Sequence, residues 1–266
     1  MNGRLAVVTG ATGGIGTAIC RTLARAEYHV VAIGRSNDKL FALSETLPAG
    51  AMTPLLLDVC APPSHWYASL MQASAEVGTD YDLLVCAHGA PPLVHPTATL
   101  DYIAALNVLA TDVGGSFLAA QTVGQYMLRR GRGCLVFVSS LHARHTYPQR
   151  TAYSMAKSAV CGLSRSLALE WGPSGLRSNC VLPWQVSGAR SNAFLAAADA
   201  AGLDLAEAYR QKAPTGRLVT PADIAQTVLW LAATPSVNGA DIVLDGGVST
   251  HMWYADLHDR PRQESA

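Results

Sequence analysis

The sequence predicts an α/β fold, a doubly wound parallel sheet of about seven strands with helices on both faces. Three observations predict it. Short runs rich in Val, Ile and Leu recur along the 266 residues, segments with helical spacing lie between them, and a glycine cluster follows the first run directly. The runs are Leu5 to Thr9, His29 to Ile33, Leu55 to Val59, Leu83 to Cys86, Cys134 to Val138, Ser178 to Leu182 and Ile242 to Leu244, read as strands buried on both faces. Helix starts are marked by Ser36-Asn37-Asp38 before Leu40 and Leu43, by Ser64 before Trp66 and Leu70, and by Pro221 before Ile224 and Val228.

Strand and helix alternate throughout, which implies right-handed crossovers, and no Pro/Gly/Ser-rich linker divides the chain. Residues 1–249 therefore read as one domain and 250–266 as a C-terminal tail. Two segments stand outside the rhythm. In 189–212 the residues Phe194, Leu195, Leu203, Leu205 and Tyr209 suggest apolar helices inserted after the sixth strand. Sheet carboxyl ends gather ligands, so a substrate lid is expected there, with ordinary helix packing as the alternative. The tail ends in a polar run, Asp259 to Ala266, expected to fray, whereas Trp253 and Tyr254 are expected to pack.

Composition narrows the function. Half the residues are hydrophobic and 14% are charged, with Lys plus Arg equal to Asp plus Glu at 19 each, so no net field draws the chain to nucleic acid. Such a chain has apolar surface to hide in a core or between subunits. Six cysteines lie scattered without CxxC spacing, which predicts reduced, mostly buried thiols and no metal site. No targeting segment precedes Leu5 and no uninterrupted apolar stretch approaches membrane-spanning length, so a cytoplasmic protein without a membrane partner is expected.

Thr9-Gly10-Ala11-Thr12-Gly13-Gly14-Ile15-Gly16 joins the first strand to the first helix. Gly10, Gly14 and Gly16, with Thr12 and Ile15 in the same turn, let backbone approach a pyrophosphate that the helix N-terminus stabilises. At the end of the second strand, where an acidic side chain would accept from a ribose 2′-hydroxyl, the chain reads Ile33-Gly34-Arg35-Ser36. Arg35 offers a fork suited to a 2′-phosphate, which favours NADP(H) and leaves NAD(H) possible.

Tyr153 and Lys157 are four apart in a helical stretch and share a face. With nine tyrosines and three lysines, chance produces this spacing in roughly one such sequence in ten. A phenol is a poor acid/base near neutrality, but an ammonium beside it stabilises the phenolate and lowers its pKa. Ser139-Ser140 ends the fifth strand, where one hydroxyl can bond a substrate oxygen.

From Gly3 to Gly247 the chain resembles the short-chain dehydrogenase/reductases, single-domain Rossmann enzymes. The family's TGxxxGxG is Thr9, Gly10, Gly14 and Gly16, its adenine-contacting Asp is matched by Asp58 in Leu57-Asp58-Val59, and its YxxxK is Tyr153 and Lys157. Its catalytic serine lies thirteen before the tyrosine, which selects Ser140. Gly216-Arg217, Pro221-Ala222-Asp223-Ile224-Ala225 and Leu244-Asp245-Gly246-Gly247 match further on. The resemblance implies that Tyr153 protonates a carbonyl oxygen that Ser140 orients, while Lys157 lowers the tyrosine pKa and holds the nicotinamide ribose. It also implies cofactor contacts at Gly89, Pro183 and Val186, and a homo-oligomer, tetramer or dimer.

Departures from the pattern are specific. Cys86-Ala87-His88-Gly89 stands for the usual Asn-Asn-Ala-Gly, so the asparagine amides that stitch the sheet are missing. The catalytic asparagine, which supports a water chain to the lysine, falls on Asp112, and Asn107 lies five residues too early. Trp184 follows Pro183 where glycine is usual, and Gly188 replaces a threonine.

The resulting expectation is an NADPH-dependent ketone reductase, reversible as an alcohol dehydrogenase, acting on a small molecule. A 3-oxoacyl-thioester reductase is the nearest alternative and needs a basic landing patch, for which Arg129, Arg130 and Arg132 are candidates. An NADP-binding sensor or scaffold without catalysis is the alternative of another class. His88, His142, Arg144 and His145 are candidates for the substrate side.

Overall fold

The structure, a computed structural model, describes residues 4–78, 80–91, 93–188 and 205–250. Seven strands, β1 (Arg4–Thr9), β2 (Tyr28–Gly34), β3 (Met52–Leu56), β4 (Tyr81–Cys86), β5 (Gly133–Val138), β6 (Leu176–Pro183) and β7 (Asp241–Leu244), form one sheet in the order β3-β2-β1-β4-β5-β6-β7. Every pairing is parallel. Strand order reverses between β1 and β4, the position where such a sheet opens a ligand crevice at its carboxyl edge.

Helices cover both faces because each carries one apolar stripe. On one face lie α1 (Gly14–Arg25), α2 (Asn37–Ser44) and α8 (Pro221–Ala233), which bury Ile19, Leu23, Leu40, Ile224 and Val228 against Val8, Val30 and Val85. On the other lie α3 (Pro63–Val77), α5 (Gly115–Arg130) and α6 (Thr151–Trp171), which bury Trp66, Leu70, Val123, Met127 and Val160 against Val7, Leu84 and Phe137. Burying each such aliphatic side chain is worth about 1.5–3 kcal/mol.

The start signals act as read at two helices. Ser36 Oγ accepts from the Lys39 N–H at 3.4 Å to cap α2, and Thr220 and Asp223 form a reciprocal capping box ahead of Pro221 at α8. The third helix begins earlier than Ser64, at Pro63 behind Pro62, because proline suits the first helical turn.

The third strand also differs from the expected Leu55 to Val59. It runs Met52–Leu56, with Pro54 opposite Ala32 of β2. Proline, which has no N–H, is tolerated because β3 is an edge strand. Leu57 and Val59 are buried after the strand has ended, which extends the apolar run past it. Neither edge strand is buried on both faces: β3 alternates and β7 is half-buried throughout.

A helix runs without a break from Tyr102 to Arg130, comprising α4 (Tyr102–Leu109), a π-helical turn (Ala110–Gly114) and α5. By length and composition it could cross a membrane, which the sequence reading did not anticipate. Asp112 sits buried in the π turn, ion-paired to α6, and α5 contributes Ala119, Ala120, Val123 and Met127 to the core. Core packing accounts for part of that apolar character, while Tyr102, Ile103, Leu106 and Phe117 remain exposed.

Of the expected lid, 189–204 lies outside the described residues, and its end forms α7 (Leu205–Lys212). Most of the tail, with Trp253 and Tyr254, lies outside them too.

Candidate active site

The glycine turn packs against its own backbone. Gly10 has φ +65°, and a Cβ there would meet the His88 backbone at 2.7 Å; a Cβ at Gly16 would meet Gly10 O at 2.1 Å. Both must be glycine for the loop to close. Gly14 is different, since nothing lies within 4 Å of a Cβ built there. The first turn of α1 has no side-chain cap and no acidic residue, which leaves its N–H groups without a side-chain acceptor among the described residues. That arrangement fits a dinucleotide pyrophosphate. Thr12 and Ile15 are half-buried beside it.

Arg35 is exposed at the end of β2 and lies 3.6 Å from Asp58, whose other oxygen accepts from the Cys60 N–H at 2.9 Å. Ser36, next to Arg35, spends its hydroxyl on the α2 cap. Val59 is buried beside Gly115. On the far side of the crevice Pro183 ends β6, and Val186 bridges to Val219.

The acid/base residues converge at the carboxyl end of β5. Ser139 is turned into the protein, donating to the Lys157 carbonyl at 2.9 Å, whereas Ser140 Oγ accepts the His142 N–H at 3.2 Å. Ser139 is therefore committed to structure and Ser140 is the serine left to a ligand. Lys157, one turn after Tyr153 on α6, holds its Nζ 5.6 Å from the Tyr153 ring centroid and 3.0 Å from Asp112 Oδ2. Asp112 Oδ1 accepts the Ala90 N–H at 2.6 Å, tying the helix to the turn that carries Gly89. The carboxylate thus meets the lysine directly, where the resemblance implied a water chain. Burial pulls the Lys157 ammonium down, but the charges of Tyr153 and Asp112 outweigh it and hold its pKa above the usual lysine value. A π turn re-aims side chains within a helix, and this one aims Asp112 inward. Asn107 is exposed on α4.

His88 takes over the stitching role of the missing asparagines and does not line the substrate side. Its Nδ1 lies 2.6 Å from Thr9 Oγ1 on β1, and its Nε2 lies 3.4 Å from Ser116 Oγ on α5. Desolvation first, and then the Lys157 charge, push its pKa down to about 4. The sign follows from the unfolded chain, where histidine titrates near 6.5: as pH falls below 6.5 the unfolded state binds a proton that the folded state refuses. Stability should drop by about 2–3 kcal/mol between pH 6.5 and 4.5 from this group alone. Urea midpoints at both pH values test it, since His88→Ala should lose most of that acid sensitivity. An equal acid loss in the variant would exclude His88 as its source.

His142 does stand beside Tyr153, with ring centroids 5.4 Å apart. Arg144 instead pairs with Asp241 at 3.3 Å, and His145 is exposed. Sequence alone did not point to Tyr147, which stacks edge-on to His142 and accepts from Trp184, because an aromatic in a loop carries no spacing signal. The scattered cysteines also assemble: Cys161, Cys180 and Asp241 present donor atoms within 4.8 Å of one another. Two cations, Arg144 and Arg165, already hold Asp241 and oppose a third.

Comparison with known proteins agrees with this geometry. A family model described as Enoyl-(Acyl carrier protein) reductase matches residues 10–249. The chain is 34% identical over 251 residues to a D-threitol dehydrogenase of Mycolicibacterium smegmatis, covering 93% of each chain. It is 31% identical over 251 residues to a galactitol 2-dehydrogenase (L-tagatose-forming) of Cereibacter sphaeroides, covering 93% of this chain and 95% of the other. Among solved structures, a gluconate 5-dehydrogenase from Burkholderia cenocepacia in complex with NADP and tartrate matches with a TM-score of 0.84 at 25% identity, over 95% of this chain and 97% of that one.

Proposed function

The chain belongs to the short-chain dehydrogenase/reductase family, and on that footing we propose that it interconverts a secondary alcohol of a small polyol and the matching ketone, with Tyr153 as acid/base. The observation that carries the reading is the gathering of Ser140, Tyr153 and Lys157 at one sheet edge, with Lys157 buried against Asp112. A bound nicotinamide dinucleotide supplies or accepts the hydride. Gly10, Thr12, Gly14, Ile15 and Gly16 hold its pyrophosphate, Asp58 and Val59 its adenine end, and Gly89, Pro183, Val186 and Lys157 its nicotinamide end. Ser140 holds the substrate oxygen, and Tyr153 gives it a proton in reduction and takes one in oxidation. The polyol class follows the threitol and galactitol dehydrogenases to which the chain is similar.

Incubation with NADP+ and NAD+ over a panel of polyols and secondary alcohols tests this. Turnover supports an enzyme; dinucleotide binding without turnover on any of them would make the chain a sensor. Against the thioester reading stands the position of its candidate landing patch. Arg130 pairs with Asp80 and Asp82, Arg132 with Asp82, and Arg129 stacks on Tyr126, all near the amino ends of β4 and β5, opposite Tyr153.

The exposed Arg35 fork supports NADP(H) as the preferred cofactor. Arg35→Ala should weaken NADPH roughly tenfold to a hundredfold more than NADH, because only the 2′-phosphate contact is lost. Parallel fluorescence titrations decide it, and equal losses would overturn the preference. Six free cysteines, five of them buried, suit a reducing cytoplasm. Tyr102, Ile103, Leu106 and Phe117 expose an apolar face along α4 and α5 that we assign to a homo-oligomer contact. Sedimentation velocity reads it directly, and a monomer at micromolar concentration would exclude that assignment.

A further inference from the structure

His142 follows Ser140 by two residues in the short 3₁₀ turn Leu141–Ala143 that leaves β5. Its ring stands edge-on to two phenols, 5.4 Å from the Tyr153 centroid at 77° and 5.0 Å from the Tyr147 centroid at 81°. The Tyr147 hydroxyl accepts from Trp184 Nε1 at 3.1 Å, and the buried Trp184 packs edge-on to Tyr209 of α7 at 5.7 Å. Edge-to-face contacts of this kind hold rings in defined orientations. The turn after β5, the loop after β6 and α7 therefore jointly fix an imidazole beside the reacting phenol. Proton transfer at Tyr153 requires none of this.

Of the two His142 ring nitrogens, Nδ1 is buried without a hydrogen-bond partner among the described residues, and Nε2 has no hydrogen-bond partner among them either. A buried N–H lacking an acceptor is rarer than a buried bare acceptor, so the proton belongs on Nε2. Burial, and then the Arg150 charge, lower the imidazole pKa and keep the ring neutral near pH 7. The result is an uncharged N–H donor next to Tyr153, without a hydrogen-bond partner among the described residues.

We infer that His142 Nε2–H recognises an oxygen on the carbon next to the one Tyr153 serves, so that the substrate is a vicinal diol or its α-hydroxy ketone rather than an isolated secondary alcohol. The inference rests on the alcohol/ketone reading above and adds to it which second oxygen the enzyme reads and with which atom. Two rings in edge contact serve neighbouring oxygens of one small substrate. A site built to bond a hydroxyl discriminates strongly against an analogue that lacks it.

The test compares kcat/KM for butane-2,3-diol and butan-2-ol, which differ by that one oxygen, in the wild type and in His142→Phe, His142→Asn and His142→Gln. Phenylalanine keeps the ring and removes the donor. Asparagine returns an amide nitrogen near the Nδ1 position, and glutamine returns one near Nε2. The wild type should prefer the diol, and the diol/mono-ol ratio should fall roughly tenfold to a hundredfold in the Phe and Asn variants while Gln retains most of it. Dinucleotide affinity, measured by fluorescence, verifies that each variant is folded, and the Asn/Gln contrast stands even where Phe fails to fold. A wild type without diol preference, a ratio unchanged in Phe and Asn, or a Gln variant that falls as far as Asn would overturn the assignment. A wild type that turns over neither these two alcohols nor any member of the wider panel would overturn the alcohol/ketone reading itself, and this one with it.

Discussion

Tyr153→Phe should fold, bind NADPH with unchanged affinity and lose about 10²- to 10⁴-fold in turnover, the usual contribution of a positioned general acid/base. The substitution removes one hydroxyl and keeps the ring, so the edge contact with His142 at 5.4 Å and the Lys157 contact at 5.6 Å persist. Nothing nearby replaces the proton. Ser140 is a hydroxyl without a base, Lys157 is buried and committed to Asp112, and the His142 Nδ1 is buried. Single-turnover kinetics in the variant separate loss of chemistry from loss of binding. Near-wild-type rates would show that another group transfers the proton and would sink the assignment of Tyr153.

The fold was legible because its signals are local and repeat: apolar runs of strand length, caps such as Ser36, and a glycine turn after β1 all point to one topology. The boundary of β3 was not, because Leu57 and Val59 stay buried after the ladder ends and burial is what an apolar run reports. The candidate site divides along the same line. Tyr153 and Lys157 share a helix face that spacing alone reveals. Ser140 needed the family's distance to be told from Ser139, and the structure supplies an independent reason in the Ser139 bond to the Lys157 carbonyl. His88 and His142 were opaque. Each is a loop histidine in sequence, and only tertiary neighbours separate one that joins β1 to α5 from one that flanks Tyr153. The clustering of Cys161, Cys180 and Asp241 from three elements was invisible for the same reason.

Asp112 should prove a positioning residue that acts through Lys157, and its two simplest variants should behave differently. Both partners of the pair are buried, Asp112 to 1% exposure and Lys157 to 5%. Asp112→Ala leaves the ammonium without its carboxylate in a low-dielectric site and the Ala90 N–H without its acceptor, a loss of about 3–5 kcal/mol against a total stability of about 5–15 kcal/mol. Thermal unfolding reads it, and a cost below about 1 kcal/mol would mean the pair is not formed. Asp112→Asn keeps an acceptor for Ala90 and removes only the charge, so it should remain folded and active. With the carboxylate gone, the positive charge on Lys157 is no longer offset, and the limb of the alcohol-oxidation profile set by the Tyr153 base should move to lower pH by about one unit. The stability profile also depends on this pair. Because the folded Lys157 pKa is raised, the pair's contribution is full below the unfolded value near 10.5 and is lost as pH climbs through the folded one. In Asp112→Asn that alkaline loss should shrink, because the carboxylate that helps raise the folded pKa is gone. Asn107→Ala, on an exposed position of α4, should shift neither profile. An unmoved limb in Asp112→Asn, with loss of activity in Asn107→Ala, would transfer the role to Asn107 and leave the buried carboxylate as a purely structural link between the π turn and α6.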